Sequence, residues 1–208
     1  MDKTLTWYEE NGQEYADYSC QEDMKYEHKR FMENVPAGSL VLDIGCGSGR
    51  DTRFFMENGY SVEAADGSAE MCRIASEYTG IQVRNINFNE LNEKDRYNGI
   101  WASKCLLHLP FEELKKIFDR LMDAMKTQGF LYMSFKYGTF EGYRDDRYFL
   151  DMDIEKSAEL ILPRKDALLM ECWKSHAPKR DGTDQLWLNL IVRKINPETA
   201  DSMHTEGF

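Results

Sequence analysis

The residues Asp43-Ile44-Gly45-Cys46-Gly47-Ser48-Gly49 directly follow the apolar run Leu40-Val41-Leu42. A short buried strand that runs into a glycine-rich turn and then into a helix is how α/β folds hold a nucleotide-like ligand. Glycines without a Cβ bring bare main chain close to such a ligand and accept positive φ, while the positive end of the following helix favours a carboxylate. A dinucleotide fingerprint G-x-G-x-x-G needs glycine at position 50, which is Arg50. The spacing here is instead acid-x-G-x-G-x-G, in which Asp43 either helps to hold the loop or balances a cationic ammonium. Asp66-Gly67 lies at the end of the next apolar run, 21 positions after Gly45. A carboxylate there can accept both hydroxyls of a ribose, although Asp before Gly is also a common turn.

The elements that must position these residues follow from periodicity. Residues 20–34 read as a helix carrying Met24, His28, Phe31 and Met32, stopped by Pro36-Ala37-Gly38. Strands are expected at Ser39–Ile44, Ser61–Ala65, Ile81–Phe88, Tyr97–Ser103 and Gly129–Lys136. Helices intervene after the glycine loop, after Ser68 as an N-cap, and after Pro110, where Leu114, Ile117, Phe118, Leu121, Met122 and Met125 form a single apolar stripe. A long aromatic and charged loop to about Asp151, a helix near Asp153–Leu162 and two strands at Leu168–His176 and Gln185–Lys194 follow. The fold expected is α/β and Rossmann-like, a doubly wound, mostly parallel seven-stranded sheet with an antiparallel C-terminal hairpin. Residues 1–34 read as a helical cap, 35–195 as the main domain and 196–208 as a flexible tail.

The loop resembles the S-adenosylmethionine loop of class I methyltransferases, and the strand order extends that resemblance over about Val35–Lys194. The resemblance implies S-adenosyl-L-methionine as cofactor, held by Asp43, Gly45, Cys46, Gly47 and Gly49, with Asp66 and Gly67 at the ribose. It puts Asn87 where the family has an acid for the adenine amino group, with Phe88 beside it, and Ser103 beside the methionine moiety. Tyr15 and Tyr18 resemble aromatic residues that many members fold over the cofactor. Lys126-Thr127-Gln128-Gly129 resembles the family's Lys-Pro-Gly-Gly turn, with its proline and first glycine replaced. Leu107-His108-Leu109-Pro110 resembles a Leu-His-x-x-Pro stretch of small-molecule members, in which the histidine faces the acceptor. His108 is thus the candidate proton acceptor, with a half-buried histidine before a helix cap as the alternative. Lys104, Lys136, Arg144 and Tyr148 are candidate acceptor contacts, the last three from a loop that could act as a lid, and Trp187 reads as core. Gly49-Arg50 also resembles the tellurite- and thiol-directed branch.

The function expected is methyl transfer from S-adenosylmethionine to a small molecule. A non-catalytic cofactor-binding regulatory or partner subunit is the alternative, and an aminopropyltransferase is a third reading that Asn87 disfavours. Ser103-Lys104-Cys105 after the fourth strand lacks the Asp/Asn-Pro-Pro-aromatic run of adenine-N6 enzymes, and Cys105 lacks the proline that precedes a cytosine-C5 nucleophile. The net charge of −11 over 208 residues argues against long nucleic acid as substrate. The charge is uneven, with nine acids and four Lys/Arg in residues 1–33 against seven Lys/Arg and four acids in 160–194. That reads as two solvated faces or as a basic mouth for an anionic substrate. Five scattered cysteines and four histidines show no metal-ligand spacing. Without a leader pattern or an apolar span, a cytoplasmic protein without membrane contact is expected, as a monomer or homodimer.

Overall fold

Apolar strands alternate with amphipathic helices through the middle of the chain, an order that calls for a parallel sheet with crossover helices on both faces. A computed structural model, which describes residues 3–178 and 182–198, has this arrangement. Helices α1 (Lys3–Ser19) and α2 (Lys25–Asn34) precede β1 (Leu40–Ile44), α3 (Arg50–Glu57), β2 (Ser61–Asp66), α4 (Ala69–Thr79), β3 (Arg84–Asn85), β4 (Tyr97–Ala102), α5 (Phe111–Ala124) and β5 (Met125–Lys136). A hairpin of β6 (Glu141–Arg144) and β7 (Arg147–Leu150) leads to α6 (Ile154–Ile161), β8 (Ala167–Pro178) and β9 (Asp184–Lys194). The main sheet has seven strands in the order β3-β2-β1-β4-β5-β9-β8, with β9 antiparallel to both neighbours.

Strand periodicity divides the core between the two faces. Val41, Trp101, Tyr132 and Ile191 point to one side and pack on Phe31 of α2, Val35 just after it and Phe55 of α3. Their immediate neighbours Leu42, Ile100, Leu131 and Leu190 point to the other and pack on Leu114, Phe118 and Leu121 of α5. Trp101 and Tyr132 stack with ring centroids 3.9 Å apart. All of these side chains are buried.

The expected helix over 20–34 is shorter at its start. Residues 3–19 form a separate helix, and α2 begins only at Lys25, after a break that Met24 closes. The third strand keeps only Arg84–Asn85 of the expected eight residues, because it finds a partner only in Ala65–Asp66 at the end of β2. The expected lid loop is the β6–β7 hairpin, pinned by Arg144, whose guanidinium donates to both oxygens of Asp151 at 2.8 and 2.6 Å. Residues 196–198 are described, and the rest of the expected tail, 199–208, lies outside the described residues.

The Lys126–Gly129 turn shows what the replaced glycine does. β5 starts at Met125, opposite Tyr97, and the ladder resumes at Phe130 opposite Gly99 after an irregularity. Gln128 sits there at φ +70 and is exposed, a left-handed backbone that costs an L-residue about 1–2 kcal/mol. Gln128→Gly is therefore expected to stabilise the protein by about 0.5–1 kcal/mol after the entropy of the added glycine. Urea denaturation reads this as a higher midpoint with an unchanged slope.

Candidate active site

Ligands in open parallel sheets sit beyond the carboxyl ends of the strands, and a cavity lies there. It measures about 470 Å³, with Gly45, Gly47, Asp66, Asn87, Phe88 and Ser103 among its walls. Gly45 and Gly47 stand at φ +68 and +54. A Cβ on Gly45 would lie 2.4 Å from that of Cys105, so only bare main chain fits. Asp66 is fixed by the loop it faces: Oδ2 accepts from the Gly47 N–H and Oδ1 from the Ser68 N–H, both at 2.9 Å. Burial nevertheless raises its pKa, against those backbone donors. Asn87 donates its amide to Glu90 at 3.1 Å. The Ser103 hydroxyl is buried with no hydrogen-bond partner, which marks a place for a polar ligand group.

Helix α1 roofs this cavity with Thr4, Leu5, Tyr8 and Tyr15. It is seated on α4 by Glu9, whose carboxylate accepts from the Ala69 N–H at 2.6 Å and the Glu70 N–H at 3.2 Å. A carboxylate on exposed N–H groups at a helix start is favourable for hydrogen bonding and for the dipole. Gly12 permits the close packing, since a Cβ there would lie 2.9 Å from Glu70 Cγ.

Under the loop lies a buried polar network that sequence reading missed. Asp51 accepts from His28 Nε2, Arg50 Nε, Arg50 Nη2 and Trp101 Nε1, each at 2.8 Å. Burial alone would raise its pKa, but Arg50 and His28 hold it well below the carboxylate range. Arg50 also donates to the Ser19 carbonyl at 2.8 Å and to Glu22 at 3.0 Å, and Glu22 in turn holds Lys104 Nζ at 3.1 Å. The residue after Gly49 thus ties the α1–α2 junction to the loop. Asp43 accepts from Thr52 Oγ1 at 2.5 Å, and burial together with the neighbouring Asp51 pushes it up to about 8.

His108 ends a short 3-10 turn, Leu106–His108, and lines the cavity. Its Nδ1 lies 2.7 Å from the Tyr148 carbonyl and its Nε2 3.0 Å from the Tyr8 hydroxyl. A carbonyl only accepts, so Nδ1 carries the proton and Nε2 takes the Tyr8 hydroxyl hydrogen. Burial, reinforced by Arg147 and Lys136, lowers its pKa to about 4. The imidazole is therefore neutral at pH 7.

A second cavity of about 270 Å³ adjoins the first, and Tyr8, Tyr15, Lys104 and His108 line both. Lys104 adopts φ +54, a strained backbone of the kind found at ligand clamps, and its N–H is held by Ser134 Oγ at 2.9 Å.

Of the residues singled out in the sequence, Gly45, Gly47, Asp66, Gly67, Asn87, Phe88, Ser103, Tyr15 and His108 meet at the first cavity. Lys104 and Lys136 line the second, with Tyr18, whose hydroxyl donates to the Pro178 carbonyl at 3.1 Å. Asp43, Cys46 and Gly49 line neither cavity. Asp43 is engaged by Thr52 as above, Cys46 packs with Ala64, Cys72 and Val83, and a Cβ on Gly49 would lie 2.9 Å from Thr79 Cγ2 of α4. Arg144 and Tyr148 are also turned away, one to Asp151 and the other to Glu141 at 2.9 Å. Strand alternation brings Arg147 and Phe149 of β7 into the second cavity instead, and Trp187, buried in the core as expected, borders it as well. Cys105 donates to the Ile44 carbonyl at 3.1 Å, and burial keeps its thiol protonated. Lys179 and Arg180 of the basic stretch lie outside the described residues. Among the described residues, no helix is long and apolar enough to cross a membrane, and no group of three His, Cys, Asp or Glu could hold a metal.

Residues 41–129 match the model of a methyltransferase domain family. No curated protein matches the chain in sequence. Among solved structures, a Burkholderia thailandensis 1,6-didemethyltoxoflavin-N1-methyltransferase with its acceptor and S-adenosylhomocysteine bound is 21% identical, with a TM-score of 0.74 over 92% of this chain and 87% of that one. A Methanosarcina mazei protein described as an S-adenosylmethionine-dependent methyltransferase is 16% identical, with a TM-score of 0.71 over 83% and 98%. A Rhodobacter sphaeroides protein described as a putative zinc-dependent alcohol dehydrogenase is 12% identical, with a TM-score of 0.73 over 93% and 99%. At such identities the likeness shows the fold. Residues 41–129 thus match a methyltransferase domain, within a fold shared with solved S-adenosylmethionine-dependent methyltransferases.

Proposed function

We propose that the protein methylates a small-molecule acceptor held in the second cavity, with the cofactor in the first. The observation that carries this reading is the shared wall of Tyr8, Tyr15, Lys104 and His108, where the contents of the two cavities would meet. Asp66, with lone pairs left beyond its two backbone bonds, accepts the ribose hydroxyls, and the Asn87 carbonyl accepts from adenine beside Phe88. Gly45, Gly47 and Gly67 admit the ligand closely, and Ser103 Oγ supplies a polar contact to the methionine part. Asp43, Cys46 and Gly49 shape the loop from behind. Residues 1–34 act as a cap on a domain spanning 35–195. A cytoplasmic setting fits the five free cysteines.

When bound, S-adenosylmethionine supplies a methyl group already activated on a sulfonium. The chain aligns the acceptor, excludes water and takes up a proton. The acceptor's proton passes to Tyr8 Oη as the Tyr8 proton moves to His108 Nε2. A base with a pKa of about 4 suits an oxonium or an aryl nitrogen cation, which are stronger acids than an alkyl ammonium.

The test is transfer of labelled methyl from S-adenosylmethionine across a metabolite panel, with S-adenosylhomocysteine counted as product. Cofactor that binds but never turns over refutes the catalytic reading. His108→Gln is expected to lower turnover about 10²-fold, as loss of a general base does, with S-adenosylhomocysteine affinity unchanged. The depressed pKa of His108 has a second consequence. The folded state binds fewer protons than the unfolded one between about pH 4 and 6.5, so stability is full above pH 6.5 and falls as acid is added. The glutamine variant loses that part of the pH dependence, on the order of 3 kcal/mol.

A further inference from the structure

An ion pair with bonding capacity to spare stands where the two cavities meet. Lys104 lines both cavities and Glu22 lines the second. Their side chains are 13% and 21% exposed, so the pair is partly withdrawn from water yet within reach of a ligand. Glu22 uses one oxygen: Oε2 accepts from Lys104 Nζ at 3.1 Å and from Arg50 Nη1 at 3.0 Å, while Oε1 has no partner among the described residues. An ammonium can donate three times, and Lys104 Nζ makes one such bond, with the Trp187 ring 4.7 Å away as its other neighbour. Both groups are fixed from behind. Ser134 Oγ holds the Lys104 N–H at 2.9 Å on a backbone at φ +54. Arg50 holds Glu22, and its own charge is matched by its two bonds to Asp51. The pair therefore offers one charge of each sign. Ser103, next to Lys104 in the chain, adds a buried hydroxyl without a partner on the wall of the first cavity.

Resting on the cofactor and acceptor assignments above, we propose that Lys104 and Glu22 form a clamp for an α-amino-acid head group. The carboxylate meets Lys104 Nζ and the ammonium meets Glu22 Oε1, each through a charge-assisted hydrogen bond. A lone anion is attracted by Lys104 but repelled by Glu22, and a lone cation meets the reverse. Only a group that carries both signs side by side satisfies both partners. Two sources bring that chemistry to the junction. One is the amino-acid end of the nucleoside, reaching past Gly47 and Ser103 out of the first cavity. The other is an amino-acid acceptor in the second.

Calorimetry on the full chain reads the two halves of the clamp separately. The first arm titrates S-adenosylhomocysteine, its decarboxylated and deaminated analogues, and 5′-methylthioadenosine, which lacks the amino-acid end. With the nucleoside as source, S-adenosylhomocysteine is expected to bind about tenfold more tightly than either analogue, as loss of one hydrogen bond to a charged group implies. Lys104→Met then erases only the preference over the decarboxylated analogue, and Glu22→Gln only that over the deaminated one. The second arm titrates glycine, L-histidine and L-tyrosine with and without saturating S-adenosylhomocysteine. With the acceptor as source, at least one of them binds at millimolar concentration, and each variant weakens it about tenfold while the preferences among nucleosides stay unchanged. Three amino acids without heat overturn the proposal when neither variant changes the nucleoside preferences, or when the variants weaken 5′-methylthioadenosine equally. On the wild type alone, S-adenosylhomocysteine that binds no more tightly than 5′-methylthioadenosine, with the amino acids silent, overturns it as well. Silence of every nucleoside refutes the cofactor assignment instead, and the amino-acid titrations then decide the clamp.

Discussion

Replacing Asp66 by alanine is expected to abolish the thermal stabilisation that S-adenosylhomocysteine confers. A wild-type protein at a ligand concentration 100 times its Kd gains about 2.7 kcal/mol. Hydrogen bonds to a charged group contribute about 1.5–3 kcal/mol each, so loss of two ribose contacts weakens binding by a factor of 100 or more. At the same ligand concentration the gain shrinks to about 0.4 kcal/mol or less. The variant also loses acceptors for the Gly47 and Ser68 N–H groups, so a modest fall in stability without ligand accompanies the effect. Differential scanning fluorimetry with and without S-adenosylhomocysteine separates the two. An undiminished shift in the variant removes Asp66 from the ribose.

Asp51→Ala is expected to destabilise the protein by about 3–5 kcal/mol, because it leaves a buried cation without its partner. Arg50 is 16% exposed at its side chain and would keep only Glu22 as a charge partner, while Trp101 Nε1 would be left with no acceptor. Chemical denaturation measures the loss. Because Arg50 also holds the Ser19 carbonyl and Glu22, hydrogen exchange in α1 is expected to accelerate more than exchange in β4 or β5. A variant as stable as the wild type would show that the four contacts to Asp51 contribute nothing net.

The parts of this site written in contiguous sequence were legible. The glycine loop, Asp66-Gly67 and Ser103 follow from strand ends and turn chemistry, and the α5 stripe follows from its period. The Asp51 network is not legible, because His28 and Trp101 reach it across 23 and 50 residues and no local pattern marks the adjacent Arg50 as its buried partner. The segment after β5 shows a different limit. Read as a loop it has no faces, so Arg144 and Tyr148 looked as suitable as Arg147 and Phe149. Once it is a strand, its period of two residues puts Arg147 and Phe149 on one side and sends Tyr148 to the other. Tyr8 has no local mark either, since its partner His108 lies 100 positions away.

The same distances bear on how the cavity comes into being. Its ceiling is α1, yet Thr4 receives the Tyr148 N–H across 144 positions and Tyr8 meets His108 across 100. Closing such long loops comes late in folding, since their entropy is spent before any contact is gained. Ligand affinity is therefore a measure of finished molecules: a chain with its sheet complete but α1 unseated would offer an open trough, with the glycines and Asp66 in place and α1 no longer above them.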